Sequence, residues 1–207
     1  MFHSQKEIRL GNIATSETEI RDLLKAWIIV SIAFAVVLRY SFPYNFYLTF
    51  IIASLTVGAG FLLHELGHKI VAQHYGCFAE FRSFDNMLIL ALVMSFFGFV
   101  FAAPGAVMIS GRINSRKNGV ISAAGPLVNL GLSLVFLVLV FSQPPKLFKA
   151  IAYYGFLINS WLALFNMIPF WLFDGYKVWK WNKLAYSAIA GAAFLFVMLR
   201  SYLPLPK

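Results

Sequence analysis

The stretch FLLHELGHKIVAQH, residues 61–74, sets three histidines, a glutamate and a lysine inside an otherwise apolar run. In a bilayer an ionised side chain at mid-depth costs about 2.5–3.5 kcal/mol by insertion scales, so such residues are usually functional. The surroundings of this run therefore decide the fold. The chain has 207 residues, 60% hydrophobic and only 12% charged, with 22 phenylalanines. Its mean hydropathy is +0.76. A soluble domain of this length could not hide that much apolar surface. The composition predicts an α-helical integral membrane protein.

Within HELGH, His64 and His68 stand four residues apart, within about 40° of one another on a helix face. Two imidazoles at that spacing can grip one zinc ion, and Glu65 between them can activate a water there. His74 has the histidine spacing of the longer HExxHxxGxxH pattern, but Val71 stands where that pattern has glycine. On a continuous helix His74 lies about 240° round from His68, so it reads as an interfacial histidine at the helix end. A third ligand must come from elsewhere. After Glu65 the only acids are Glu80, Asp85 and Asp174. Glu80 and Asp85 fall in a strand-and-turn region where solvated charges are expected. Asp174, in NMIPFWLFDG, is framed by Pro169 and Gly175, which open and bend the backbone. That framing and the shortage of other acids favour Asp174 over a plain Asp-Gly turn.

A span needs about 20 mainly apolar residues. Residues 1–22 are polar and read as an N-terminal cytoplasmic segment, with SETE at 16–19 as a capping box in which Glu19 reaches back to Ser16. A single core, 23–207, follows. Its spans are expected near 23–42, 119–141, 150–170 and 185–203, with a long helix from 46 to 75 and a turn at SFPYN, 41–45. Gly76 is the expected C-cap. AEFRSF, 79–84, alternates as a short strand, and FAAPGAVMISG, 101–111, reads as a turn leading into another. The apolar piece between them is short. The overall expectation is five to six membrane helices with a small membrane-embedded β-hairpin or re-entrant region. No cleavable leader is expected, because the apolar run continues past AFA at 33–35. The lone Cys77 excludes an intramolecular disulfide and reads as a buried, reduced thiol.

The net charge of +9 comes from cations scattered between apolar runs, which argues for the positive-inside pattern and against a nucleic-acid partner. If residues 86–101 re-enter without crossing, 12 of the 17 basic residues fall on the side of the HELGH end and Asp174. The other five are Arg39, Lys146, Lys149, Arg200 and Lys207. A full crossing gives 10 against 7 and separates Asp174 from His68. Re-entry is therefore expected, in a multi-pass protein of the cell membrane with the zinc site nearer the cytoplasm.

HELGH in one span, followed by Asn166, Pro169, Asp174 and Gly175 in a later one, resembles the site-2 protease family of intramembrane metalloproteases. AAGPLVN, 123–129, is similar to that family's Gly-Pro-x-x-Asn element, and FAAPGAV to its membrane-embedded hairpin. The family's usual leucine before Asp-Gly is Phe173 here, and the apolar insert at 86–101 is longer than the family core needs. The resemblance implies zinc held by His64, His68 and Asp174, with Glu65 as catalytic base and Asn166 beside the metal. It implies peptide hydrolysis in or near transmembrane segments of a membrane-anchored protein substrate.

In such a reaction Asn166 could donate to a developing oxyanion, or could clamp two helices. A substrate unwound to an extended strand could add to an edge within Phe101–Ile109, with Phe101, Ala103, Gly105 and Val107 as contacts. Ala103-Pro104-Gly105 could equally be a plain tight turn. Gly125 and Pro126 would kink or closely pack the third span, and Asn129 is a candidate interhelical hydrogen bonder. Two rival functions fit some of these residues. A transporter or metal-permeation protein would line its path with His and acids, but such groups here cluster at one end. A catalytically inactive homologue would not need Glu65 to bind zinc.

Overall fold

A computed structural model describes residues 7–11, 13–39, 45–100, 104–142 and 144–203. The chain opens with an antiparallel pair, β1 (Glu7–Leu10) and β2 (Ile13–Ser16), turning at Gly11 with φ +63°. Helix α1 (Glu17–Arg39) follows directly. Next come α2 (Phe46–Ala53), a π-helical turn over Ser54–Gly58, and α3 (Ala59–His74), which together form one long apolar helix. Strand β3 (Phe78–Ser83), α4 (Asp85–Ser95) and β4 (Gly105–Ser110) lead into α5 (Ser115–Phe141) and α6 (Lys146–Asn166). A short α7 (Asp174–Trp181) and α8 (Lys183–Leu199), extended by a 3₁₀ turn to Tyr202, complete the described chain.

Among the described residues, four helices are long and apolar enough to cross a membrane: Phe46–His74, Ser115–Phe141, Lys146–Asn166 and Lys183–Tyr202. The pattern of burial suits that reading. Leu134, Val135, Val138 and Phe141 of α5 and Phe194, Leu195 and Met198 of α8 are exposed. Ser31, Thr49, Thr56, Asn129, Ser133, Asn159 and Ser160 are fully buried. Apolar skin over a hydrogen-bonded polar interior is the arrangement that hydrocarbon solvent favours. The architecture is that of a helical membrane protein.

Several boundaries differ from expectation. The span expected at 150–170 ends at Asn166, and residues 167–173 form turns before α7. α1 covers most of the span expected at 23–42 but is not among the four candidate spans, so the described residues give four where five to six membrane helices were expected. The turn expected at 41–45 lies mostly outside the described residues. Gly76 does close α3: with φ +71° it donates to Gln73 O while Cys77 N donates to Ala72 O. That is a Schellman cap, which needs the left-handed conformation glycine adopts without strain. Cys77 is buried and free.

β3 and β4 pair antiparallel, and the register puts Ser83 directly opposite Gly105. The chain between them leaves and returns at one end of the hairpin. α4, with 11 residues, extends only about 16 Å. That is shorter than the about 20 helical residues a 30 Å hydrocarbon layer needs.

The N-terminal residues are woven into the core. The first half of the capping box forms, with Glu19 N donating to Ser16 Oγ at 3.1 Å. The second half does not. The Glu19 carboxylate, fully buried, instead accepts from Lys69 Nζ of α3 and, at 2.9 Å, from Phe81 N of β3. A reach back would have left Lys69, 2% exposed, as an unpaired buried charge. Glu80 also departs from its expected solvation: it is 8% exposed, accepts from Ser16 Oγ and pairs with Arg82. Asp85 is exposed as expected and pairs with Lys25. That hydrogen bond holds its carboxyl below the ordinary carboxylate value.

Candidate metal centre

α3 turns His64 and His68 to one face, and α7 begins at the third donor, Asp174. One ligand atom from each lies within 4.8 Å of the others. His64 Nε2 and His68 Nε2 are 3.0 Å apart, and Asp174 Oδ2 is 3.4 Å from the first and 3.1 Å from the second. Both histidines are buried.

The imidazoles are oriented from behind. His64 Nδ1 donates to Asn129 Oδ1 at 2.6 Å, and His68 Nδ1 donates to Ile121 O at 2.8 Å. With Nδ1–H committed to an oxygen, each Nε2 keeps its lone pair for a metal, since the partner of one ring nitrogen sets the role of the other. α5 supplies both partners. Pro126 lacks the N–H that a helix would return to Ser122 O, loosening α5 near the Ile121 carbonyl.

Three glycines let backbones approach this centre. A Cβ on Gly125 would lie 2.4 Å from His68 Nε2 and 2.5 Å from His64 Nε2, so the bare backbone of α5 leaves the ion's place open. A Cβ on Gly67 would meet Val128 at 3.0 Å, which fixes how closely α3 and α5 pack. A Cβ on Gly175 would come 2.3 Å from Met167 O, so glycine beside Asp174 lets α7 start against the end of α6. Asp174 lies outside the four candidate spans. Burial works against its charge, but the imidazoles of His68 and His64 outweigh it and hold the carboxyl well below the usual carboxylate range. The donor is thus ionised at neutral pH. A metal would take the two imidazoles in their neutral form through Nε2, and with the carboxylate they make a three-ligand set that suits zinc and leaves a position for water.

Glu65, 9% exposed, accepts from Val107 N of β4 at 3.1 Å. Because N–H groups alternate along a strand, Gly105 and Val107 turn their backbones to the same side, away from β3. Phe101 and Ala103 lie outside the described residues. Asn166 is turned onto its own helix, donating to Leu162 O at 2.9 Å; the structure does not bring it into the His–His–Asp group. His74 is exposed at the end of α3 with its ring against Tyr75, away from the group. The sequence reading overlooked Ile121 O and the Val107 N–H, since backbone groups carry no signature. It also overlooked Asn159, although an amide inside a span was a visible signal.

Fold and site together define a helical membrane protein with a buried His–His–Asp group able to hold a metal ion. The chain is 42% identical, over 187 residues, to a protein of Methanocaldococcus jannaschii that carries the name "putative zinc metalloprotease". The match covers 89% of this chain and 94% of that protein, and the chain belongs to the same family of zinc metalloproteases. No family model matches the sequence, and no solved structure matches it.

Proposed function

We propose that this protein is an intramembrane zinc metalloprotease of the site-2 type, cleaving membrane-anchored proteins in or near their transmembrane segments. The observation that carries the reading is the setting of HELGH. The motif lies in a 29-residue apolar helix, with both Nε2 atoms turned toward Asp174. A soluble protease would not need such a helix, and a permeation path would need donors strung through its depth.

A zinc ion held by His64, His68 and Asp174 would supply a Lewis acid that polarises the scissile carbonyl and acidifies water. Glu65 accepts the proton of the attacking water on its carboxylate and delivers it to the leaving amine. Val107 N–H holds Glu65 Oε2, which orients the carboxylate beside the histidines. Asn166 donates to the oxygen that gains charge, which requires its amide to leave Leu162 O. The substrate, unwound to a strand, adds to the outward edge of β4 at Gly105 and at the carbonyl of Val107, whose N–H stays with Glu65; Phe101 and Ala103, outside the described residues, are the further proposed contacts. The zinc side faces the cytoplasm of the cell membrane, following the excess of basic residues.

The test is purified protein in lipid with a single-span model substrate. Wild type yields products cut within or beside the span, while His64→Ala and Asp174→Ala lose both zinc and cleavage. Cleavage unaffected in either variant would refute the proposal.

A further inference from the structure

The bundle interior holds a chain of amides that ends on a candidate ligand. Asn159 of α6 and Asn129 of α5 are both fully buried. Asn159 Nδ2 donates to Gly155 O at 2.9 Å, so its Oδ1 faces away from that carbonyl. Asn159 Oδ1 accepts from Asn129 Nδ2 at 2.9 Å, and the second N–H of Asn129 goes to Gly60 O at 3.1 Å. With both donors spent, Asn129 has only its oxygen to offer, and that oxygen accepts from His64 Nδ1 at 2.6 Å. A carbonyl can only accept, so the polarity of the whole chain is fixed from its far end. Glycine at position 60 makes room: a Cβ there would sit 2.4 Å from Asn159 Oδ1.

We infer that Asn159 is a positioning residue for the metal, acting through Asn129 to keep His64 in the Nδ1–H tautomer with Nε2 open. A rotated Asn129 would present an N–H to His64 Nδ1, which would then hold the lone pair and leave the proton on Nε2, where the metal must bind. Asn159 Oδ1 and Gly60 O are the two acceptors that oppose that rotation. In a low-dielectric interior an unpaired amide is costly, so the relay is strongly biased to one polarity. The inference rests on His64 binding metal and not on proteolysis.

The test measures zinc affinity by chelator competition, together with the tautomer of His64 in metal-free protein by nitrogen-15 NMR of histidine-labelled samples. Asn159→Ala should lower zinc affinity by about 10- to 100-fold, the usual effect of removing a group that orients a metal-binding histidine. It should also raise the Nε2–H population of His64. Asn159→Leu, which keeps the same branched shape and leaves no cavity, should do the same and covers the case in which the smaller side chain unfolds the bundle. Asn159→Asp keeps an oxygen facing Asn129 and should recover most of the affinity. Ser160→Ala, which removes a buried hydroxyl from the same helix bonded only to Ser133 and Phe156 O, should leave both readings unchanged. Equal loss in Ser160→Ala, or wild-type affinity and tautomer in Asn159→Ala and Asn159→Leu, would overturn the inference. Either result would leave the proteolytic reading untouched.

Discussion

Gly125→Ala puts a methyl group where the site needs an ion. The added Cβ would stand 2.4 Å from His68 Nε2, 2.5 Å from His64 Nε2 and 2.6 Å from His64 Cε1, whereas real contacts below 3.0 Å essentially do not occur. The rings would have to retreat by roughly 1 Å to restore contact distance. They are poorly placed to do so, because Nδ1 of each is tied to Asn129 or Ile121. Overpacking of this kind costs about 1–3 kcal/mol in the metal-free protein. The effect on the metal is larger in kind, since zinc–nitrogen bonds of about 2.0–2.1 Å cannot share that space with a methyl. Wild type at zinc about 100-fold above its Kd should gain about 2.7 kcal/mol of stability; the variant should gain almost none. Unfolding in mild detergent, with and without zinc, reads both quantities, and metal analysis checks stoichiometry. A Gly125→Ala protein with full zinc and the wild-type gain would refute the assignment of this backbone to the metal's surroundings.

Three further outcomes follow from the same geometry. Lys69→Met strands the buried Glu19 carboxylate and should cost about 3–5 kcal/mol, while Glu19→Gln with Lys69→Met should restore much of it; additive losses in the double variant would show the pair is uncoupled. Zinc binding requires unprotonated Nε2 atoms, so occupancy after dialysis should fall as pH drops and protons compete for the imidazoles, and occupancy independent of pH down to about 5 would exclude histidine ligands. Single cysteines at positions 83 and 113 should label from the same side of a sealed vesicle, given that Ser83 faces Gly105 across the hairpin. Labelling from opposite sides would sink the re-entrant topology.

What the sequence made legible was periodic and chemical. Long apolar runs, the HELGH face, the Gly76 cap and the strand at 79–84 each follow from a spacing rule that tertiary packing had no reason to override. Asp174 was visible because acids are so few. The rest was hidden for identifiable reasons. The strands β1 and β2 have four residues each in a polar stretch, too short for alternation to register. α7 was missed because Gly175, expected to bend the chain after the carboxylate, is its second residue. Ser16-x-x-Glu19 matches a capping box whichever way the glutamate points, and only the buried Lys69 and Phe81 N–H decided it. Glu80 looked solvated because the residue that accompanies its burial, Ser16 at the end of β2, stands 64 residues away in sequence. Asn166 and Asn159 show the limit of motif reading. The amide inside the recognisable motif bonds its own helix, and the amide outside it completes the chain to His64.

In the proposed chemistry Glu65 is a proton carrier beside a metal it does not hold. Glutamine at that position keeps the size of the side chain and an oxygen for Val107 N–H, but cannot take a proton from water at neutral pH. Zinc content and cleavage of a single-span substrate should be measured on the same Glu65→Gln preparation. The expected result is wild-type zinc with cleavage reduced by about 10²- to 10⁴-fold. Near-wild-type cleavage by a zinc-loaded Glu65→Gln protein would contradict the proposed chemistry, and loss of zinc along with cleavage would make Glu65 part of the metal's support instead.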